Sequence, residues 1–122
     1  MAKKIVIVED DEFLRSLTSK RLESEGYEVA VAVDGEDAVK VIPKENPDLI
    51  FLDLLLPNKN GFEVLEEIRK DDKTKDTPVV VFSNLGQKED IEKVKKFGVT
   101  EFLVKANFTL DDVVVKLKEI LK

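Results

Sequence analysis

Four short stretches hold side chains able to do chemistry together: Glu9-Asp10-Asp11, Asp53, Ser83-Asn84 and Lys105. They offer carboxylates, a hydroxyl, an amide and an ammonium. The chain has no Cys and no His, which excludes a thiolate nucleophile, a disulfide, a His-based triad and any metal held by those residues. Carboxylates gathered at one place repel one another and need a counter-charge. An oxygen-seeking divalent cation such as Mg²⁺, which takes one or two carboxylates together with water and phosphate oxygens, would supply it with the Lys105 ammonium. Such a site suits a phosphorylated species. Asp53 is the best nucleophile, because it alone ends a fully apolar strand, and carboxylates are known to carry phosphoryl groups covalently. The cation and Lys105 would offset charge on the transferring group. There is no GxGxxG and no Walker A sequence, so nucleotide binding through those loops has no support.

These stretches act together only if the fold converges them, and the hydrophobic pattern alternates strand and helix throughout. Ile5–Val8 reads as a buried strand and Glu12–Glu25 as a helix with Phe13, Leu14, Leu17 and Leu22 on its apolar side. Glu28–Val33 is a strand whose alternation places Val29, Val31 and Val33 together. Asp34-Gly35-Glu36-Asp37 opens a helix with an acidic first turn. Ala38, Val39, Val41 and Ile42 are its apolar face, and Pro43 is expected to end or kink it. Leu49–Leu52 is apolar on both faces, as a central parallel strand should be.

Pro57–Gly61 is a loop, Phe62–Lys70 a helix, Asp71–Thr77 a charged connector, Pro78–Phe82 a strand, Gln87–Phe97 a helix and Glu101–Val104 a strand. Thr109 caps the last helix in a capping-box variant with Asp112. Val113, Leu117, Ile120 and Leu121 face inward there; Val114 and Val115 lie beside that stripe, where partial burial is the more ordinary reading and an exposed partner or dimer patch the alternative. Five strands alternating with five helices give an α/β, doubly wound parallel sheet. Ligands of such sheets sit at the C-terminal ends of strands near the topological switch point. The four stretches are the ends of the first, third, fourth and fifth strands. A lone acidic pair there is ordinarily a cap or a turn; agreement of four strand ends is what singles this set out.

The 122 residues fit one domain, residues 1–122. A net charge of −6 argues against a nucleic-acid-binding face. The longest mostly apolar run, Leu49–Leu56, is broken by Asp53 and too short to span a bilayer. No signal-peptide pattern precedes the first strand, so a cytoplasmic location is the default.

The segments IVIVEDDEFLR (5–15), PDLIFLDLLLPNKNGFEVL (47–65), VVVFSN (79–84) and FLVK (102–105) together resemble the receiver domain of bacterial two-component response regulators, and the likeness covers the whole chain. It implies a flavodoxin-like sheet of order 2-1-3-4-5 and a phosphoacceptor role for Asp53. It implies Mg²⁺, with Mn²⁺ as a substitute, held by Asp53, by Asp10 directly, by Glu9 through water and by the carbonyl of Leu55. Asp11 is left to cap the first helix. Ser83 and the amide of Asn84 would contact the phosphoryl group, Lys105 matches the family lysine, and Phe102 matches an aromatic switch position. Pro57 and Gly61 match the loop after the acceptor, where glycine permits unusual backbone angles. The implied partners are a sensor histidine kinase or histidine phosphotransfer protein, and an output protein or second copy on the face of the fourth helix, fifth strand and fifth helix. Neither nucleic acid nor membrane is implied. The domain would gain and lose its own phosphoryl group and would not be a classical turnover enzyme.

The chain departs from the family at several positions. Ala106 stands where proline is usual, often after a cis bond; a cis non-proline bond costs about 2.5–4 kcal/mol, so a trans bond is expected. Asn84 stands where a small residue is usual. Leu55 and Leu85 occupy the flanking positions that tune hydrolysis, and neither side chain can hydrogen-bond water, so a long-lived phosphoaspartate is expected. Two other readings stay open: a receiver-like module that binds partners without phosphorylation, and a phosphatase that passes through a phosphoaspartate. The latter usually has an acid two residues after the nucleophile, where Leu55 stands. A stand-alone receiver and a receiver cut from a larger protein are both compatible with the chain.

Overall fold

Strands β1 (Lys4–Val8), β3 (Leu49–Leu52) and β4 (Val79–Ser83) are apolar at nearly every position, and a strand points successive side chains to opposite faces. Both faces must therefore be covered. The computed structural model describes residues 2–122 and shows how. All strands are parallel in the order β2-β1-β3-β4-β5, with β2 at Glu28–Ala32 and β5 at Glu101–Val104. Helices α2 (Gly35–Glu45), α3 (Gly61–Lys70) and α4 (Lys88–Lys95) cover one face. Their core includes Val6, Val8, Ile50, Leu52, Val79 and Val81. Helices α1 (Glu12–Ser24) and α5 (Leu110–Ile120) cover the other, over Ile5, Ile7, Leu49, Phe51, Val80 and Phe82. This is the expected doubly wound sheet.

Parallel register then aligns the strand ends. Val8 lies beside Leu52, and Leu52 beside Val81. Ser83 lies beside Val104. The Asp53 amide donates to the Val8 carbonyl at 3.1 Å and the Glu9 amide to the Ala32 carbonyl at 3.1 Å, so pairing continues one residue past the strands. Glu9 and Asp53 thus emerge side by side, and Lys105 leaves β5 on the same edge.

Several expectations are corrected. Pro43 neither ends nor breaks α2, which runs on to Glu45 and closes at Asn46 in the left-handed region (φ 46°). Proline near the end of a helix forfeits one backbone bond, and burial of Ala38 and Ile42 holds the helix across that gap. On α1 the buried stripe is Thr18 and Leu22, with Leu14 half-buried, while Phe13 is 76% exposed and Leu17 is also exposed. Val31 and Val33 are exposed as well, since β2 is an edge strand and its buried side is that of Ala32. The two valines beside the α5 stripe part company: Val114 is buried in the core, since the stripe is wide enough to include it, and Val115 is 56% exposed.

The charged connector at Asp71–Thr77 is locked in place. Thr74 is fully buried and donates its hydroxyl to the Ile68 carbonyl at 2.6 Å. Arg69 donates to the carbonyls of Phe97, Thr74, Lys75 and Thr77 at 2.6–3.0 Å. A concavity of about 390 Å³ lies there, against Pro78 and Thr100 at the opposite end of the sheet from Asp53. Of the cationic residues that line it, Arg69 is engaged by these carbonyls and Lys75 pairs with Asp72 at 3.6 Å. Among the described residues no helix is long and apolar enough to cross a membrane.

Candidate functional site

The β1–α1 turn supplies two of the acidic groups. Asp11 caps α1, accepting the Leu14 amide at 2.8 Å, as expected. Its own amide donates to Glu9 Oε2 at 3.2 Å. Arg15, one turn into the helix, donates to the carbonyls of Glu9 at 3.0 Å and Asp10 at 3.3 Å. Glu9 is thereby turned inward and buried, while Asp10 stays exposed at the rim.

Asp53, only 5% exposed, sits beside them. Carboxylate oxygens of Glu9, Asp10 and Asp53 all lie within 4.8 Å of one another. The Lys105 ammonium donates to Glu9 Oε1 and to Asp53 Oδ2, each at 2.7 Å. Asp53 Oδ1 accepts the Leu55 amide at 3.1 Å. Burial works against the lysine's charge, but its hydrogen bonds to Asp53 and Glu9 outweigh that and hold the amine above its ordinary range. Burial also dominates at Glu9 and raises its carboxyl above the usual range, with the bonds from Lys105 and the Asp11 amide only partly offsetting it. One ammonium shared by two buried carboxylates does not neutralise both. Three carboxylates against one ammonium leave a negative site built of hard oxygen donors, which suits Mg²⁺.

The remaining residues are placed as follows. Ser83 is fully buried at the end of β4, its oxygen accepting the Leu85 amide at 3.3 Å. Asn84 is exposed. Leu55 contacts the site through its backbone amide, and its residue is 51% exposed. Phe102 is half-buried, packs against the core on the α4 side of the sheet and lines a depression with Ile91 and Val94 of α4. The Lys105–Ala106 bond is trans, and Lys105–Asn107 form a short 3₁₀ turn. Gly61 is needed for space and not for an unusual angle, since its φ lies outside the left-handed region. A Cβ there would sit 2.6 Å from the Leu54 Cα and 2.7 Å from the Asp53 carbonyl oxygen. The Arg15 contacts have no counterpart among the sequence expectations; its place one turn after the helix cap was the available signal.

Residues 5–118 match the family model described as the response regulator receiver domain. The chain belongs to that family. The DNA-binding dual master transcriptional regulator RpaA of Synechocystis sp. is 36% identical to this receiver domain over 121 residues, which is 98% of this chain and 49% of that protein. The chain spans about half the length of the curated relatives it matches. Among solved structures, the chemotaxis protein CheY4 of Vibrio cholerae superposes with a TM-score of 0.90 at 29% identity, covering 98% of this chain and 99% of that one. The receiver domain of sensor histidine kinase PA1611 from Pseudomonas aeruginosa PAO1 superposes with a TM-score of 0.87 at 25% identity over 100% of both chains. That structure holds a magnesium ion coordinated in the active site cleft.

Proposed function

We propose that Asp53 of this receiver domain accepts a phosphoryl group from a phosphohistidine donor in a Mg²⁺-dependent reaction, and that phosphorylation changes partner binding at α4, β5 and α5. The observation that carries this reading is the Lys105 bridge. One ammonium lies 2.7 Å from two buried carboxylates on neighbouring strand ends, with Asp10 at the rim beside them.

An Asp53 carboxylate oxygen attacks phosphorus in line, forming an O–P bond as the N–P bond of the phosphoimidazole breaks. The imidazole leaves with the electron pair and takes up a proton. These 122 residues hold no His, so the donor ring, that of a histidine kinase or phosphotransfer protein, lies outside them. Lys105 is poised to place its charge on the phosphoryl oxygens. The Ser83 oxygen already accepts the Leu85 amide, so its proton is free to be donated to the phosphoryl group. Glu9 is engaged by Lys105 and the Asp11 amide, while Asp10 has no side-chain hydrogen bond among the described residues. This favours Asp10 as a direct ligand and Glu9 as one acting through water, with Asp53 and the Leu55 carbonyl completing the protein's share. Mg²⁺, when bound there, supplies neutralisation of the charge on the transferring group, and Mn²⁺ has the same ligand preference.

Incubation with acetyl phosphate and Mg²⁺ is expected to add one phosphoryl group, seen as a mass increase of the intact protein, and chelation of the metal to prevent it. No increase under conditions that label another receiver domain would favour a module that works without phosphorylation. The group, once on, is expected to stay for minutes or longer, because neither Leu55 nor Leu85 can orient an attacking water. Loss within seconds in the presence of Mg²⁺ would contradict that expectation.

A further inference from the structure

The loop from Leu54 to Asn60 carries the Leu55 backbone beside Asp53, yet most of its residues face solvent. Its base is closed where the Gly61 amide donates to the Leu54 carbonyl at 3.0 Å. Its tip is held by the N-terminus of α2. Asp34 Oδ1 accepts the Asp37 amide at 2.8 Å, and Oδ2 accepts Asn58 Nδ2 at 2.8 Å. Capping a helix needs only one of these oxygens, so the second bond reaches across 24 positions for another purpose. Asn58 has φ 68°, a left-handed conformation that asparagine tolerates better than most residues. The Gly35 amide points to the Pro57 carbonyl at 3.4 Å. The Gly35 backbone lies so close that a Cβ would fall 1.6 Å from the Lys59 carbonyl oxygen. Lys59 is anchored in turn by Glu67 at 2.6 Å.

We infer that Asp34 and Asn58 are positioning residues: by tying α2 to the tip of the β3–α3 loop, they set the Leu55 backbone for cation and phosphoryl binding at Asp53. The inference rests on the metal site described under Proposed function. The hydrogen bond is the side-chain tie between α2 and the tip of a loop that is otherwise held at its base by the Gly61–Leu54 backbone bond and the Leu55 amide on Asp53, and beside the tip by the Gly35–Pro57 approach and the Lys59–Glu67 ion pair. Partners of this kind, one step removed from a metal, commonly change its affinity by about tenfold or more when lost.

The test uses two variants that break the tether from opposite ends while sparing each local structure. Asp34→Ser keeps an oxygen for the Asp37 amide but is too short to reach Asn58. Asn58→Gly removes the donor and keeps a residue that accepts positive φ. Mg²⁺ titration followed by backbone amide NMR signals, alongside thermal unfolding of the metal-free proteins, gives affinity and stability separately. Each variant is expected to weaken Mg²⁺ binding about tenfold, the double variant no more than either, and metal-free unfolding is expected to shift by only a few degrees. A purely structural role would not produce non-additive losses of affinity. Affinities within about twofold of the parental chain in both variants, or losses that add in the double variant, would overturn the inference. A parental chain that binds no Mg²⁺ would instead refute the metal site itself, and the inference with it.

Discussion

Asp53→Asn is expected to take no phosphoryl group from acetyl phosphate and Mg²⁺ under conditions that label the parental chain. The amide is close in size and shape to the carboxylate, and its oxygen can still accept the Leu55 amide. What disappears is the anionic nucleophile, together with one of the two acceptors of the Lys105 ammonium. Removing the attacking group of a site that acts as a unit costs several orders of magnitude in rate, about a thousandfold at the least. The fold should survive, because the substitution also relieves repulsion among Glu9, Asp10 and Asp53. Intact-mass measurement over time, with a thermal melt of the same sample, separates lost chemistry from lost structure. Labelling of a folded Asp53→Asn protein at a comparable rate would place the acceptor elsewhere.

Gly35→Ala is expected to cost about 3 kcal/mol or more of folding stability, near or beyond the upper end of ordinary overpacking. The new methyl would lie 1.6 Å from the Lys59 carbonyl oxygen and 2.4 Å from its carbon. These are backbone atoms, so no side-chain rotation relieves the overlap; α2 or the β3–α3 loop must move. Either movement pulls on the Asp34–Asn58 bond and on the backbone beside Asp53. Urea unfolding should show the midpoint falling with little change in slope. A loss below about 1 kcal/mol would mean that the two segments separate easily, and the tight approach of α2 to the loop would then have little energetic weight.

Much of this architecture was legible in the sequence because central parallel strands announce themselves. Ile5–Val8, Leu49–Leu52 and Val79–Phe82 are continuous apolar runs with helical patterns between them, which fixes the class of fold. The strand-end residues follow once the sheet is parallel, since register carries Glu9, Asp53 and Lys105 to one edge. What stayed hidden depends on packing at a distance. Phe13 and Thr18 lie at positions that periodicity alone does not rank, and the fold buries the threonine and exposes the phenylalanine. Pro43 is tolerated because tertiary burial outweighs one lost backbone bond. Arg69 gathers carbonyls from the Asp71–Thr77 connector and from the end of α4, and the Asp34–Asn58 bond joins residues with no local pattern between them. Such contacts leave at most a cap or turn preference in the sequence, as Asp34 did.

Locating the modified residue tests the central claim most directly. After labelling with acetyl phosphate and Mg²⁺, borohydride reduction of the acyl phosphate followed by proteolysis and peptide mass spectrometry identifies the carboxylate that carried the group. The geometry around Lys105 predicts a single modified position, Asp53. Modification of Glu9, Asp10 or a carboxylate elsewhere, with Asp53 left intact, would contradict it.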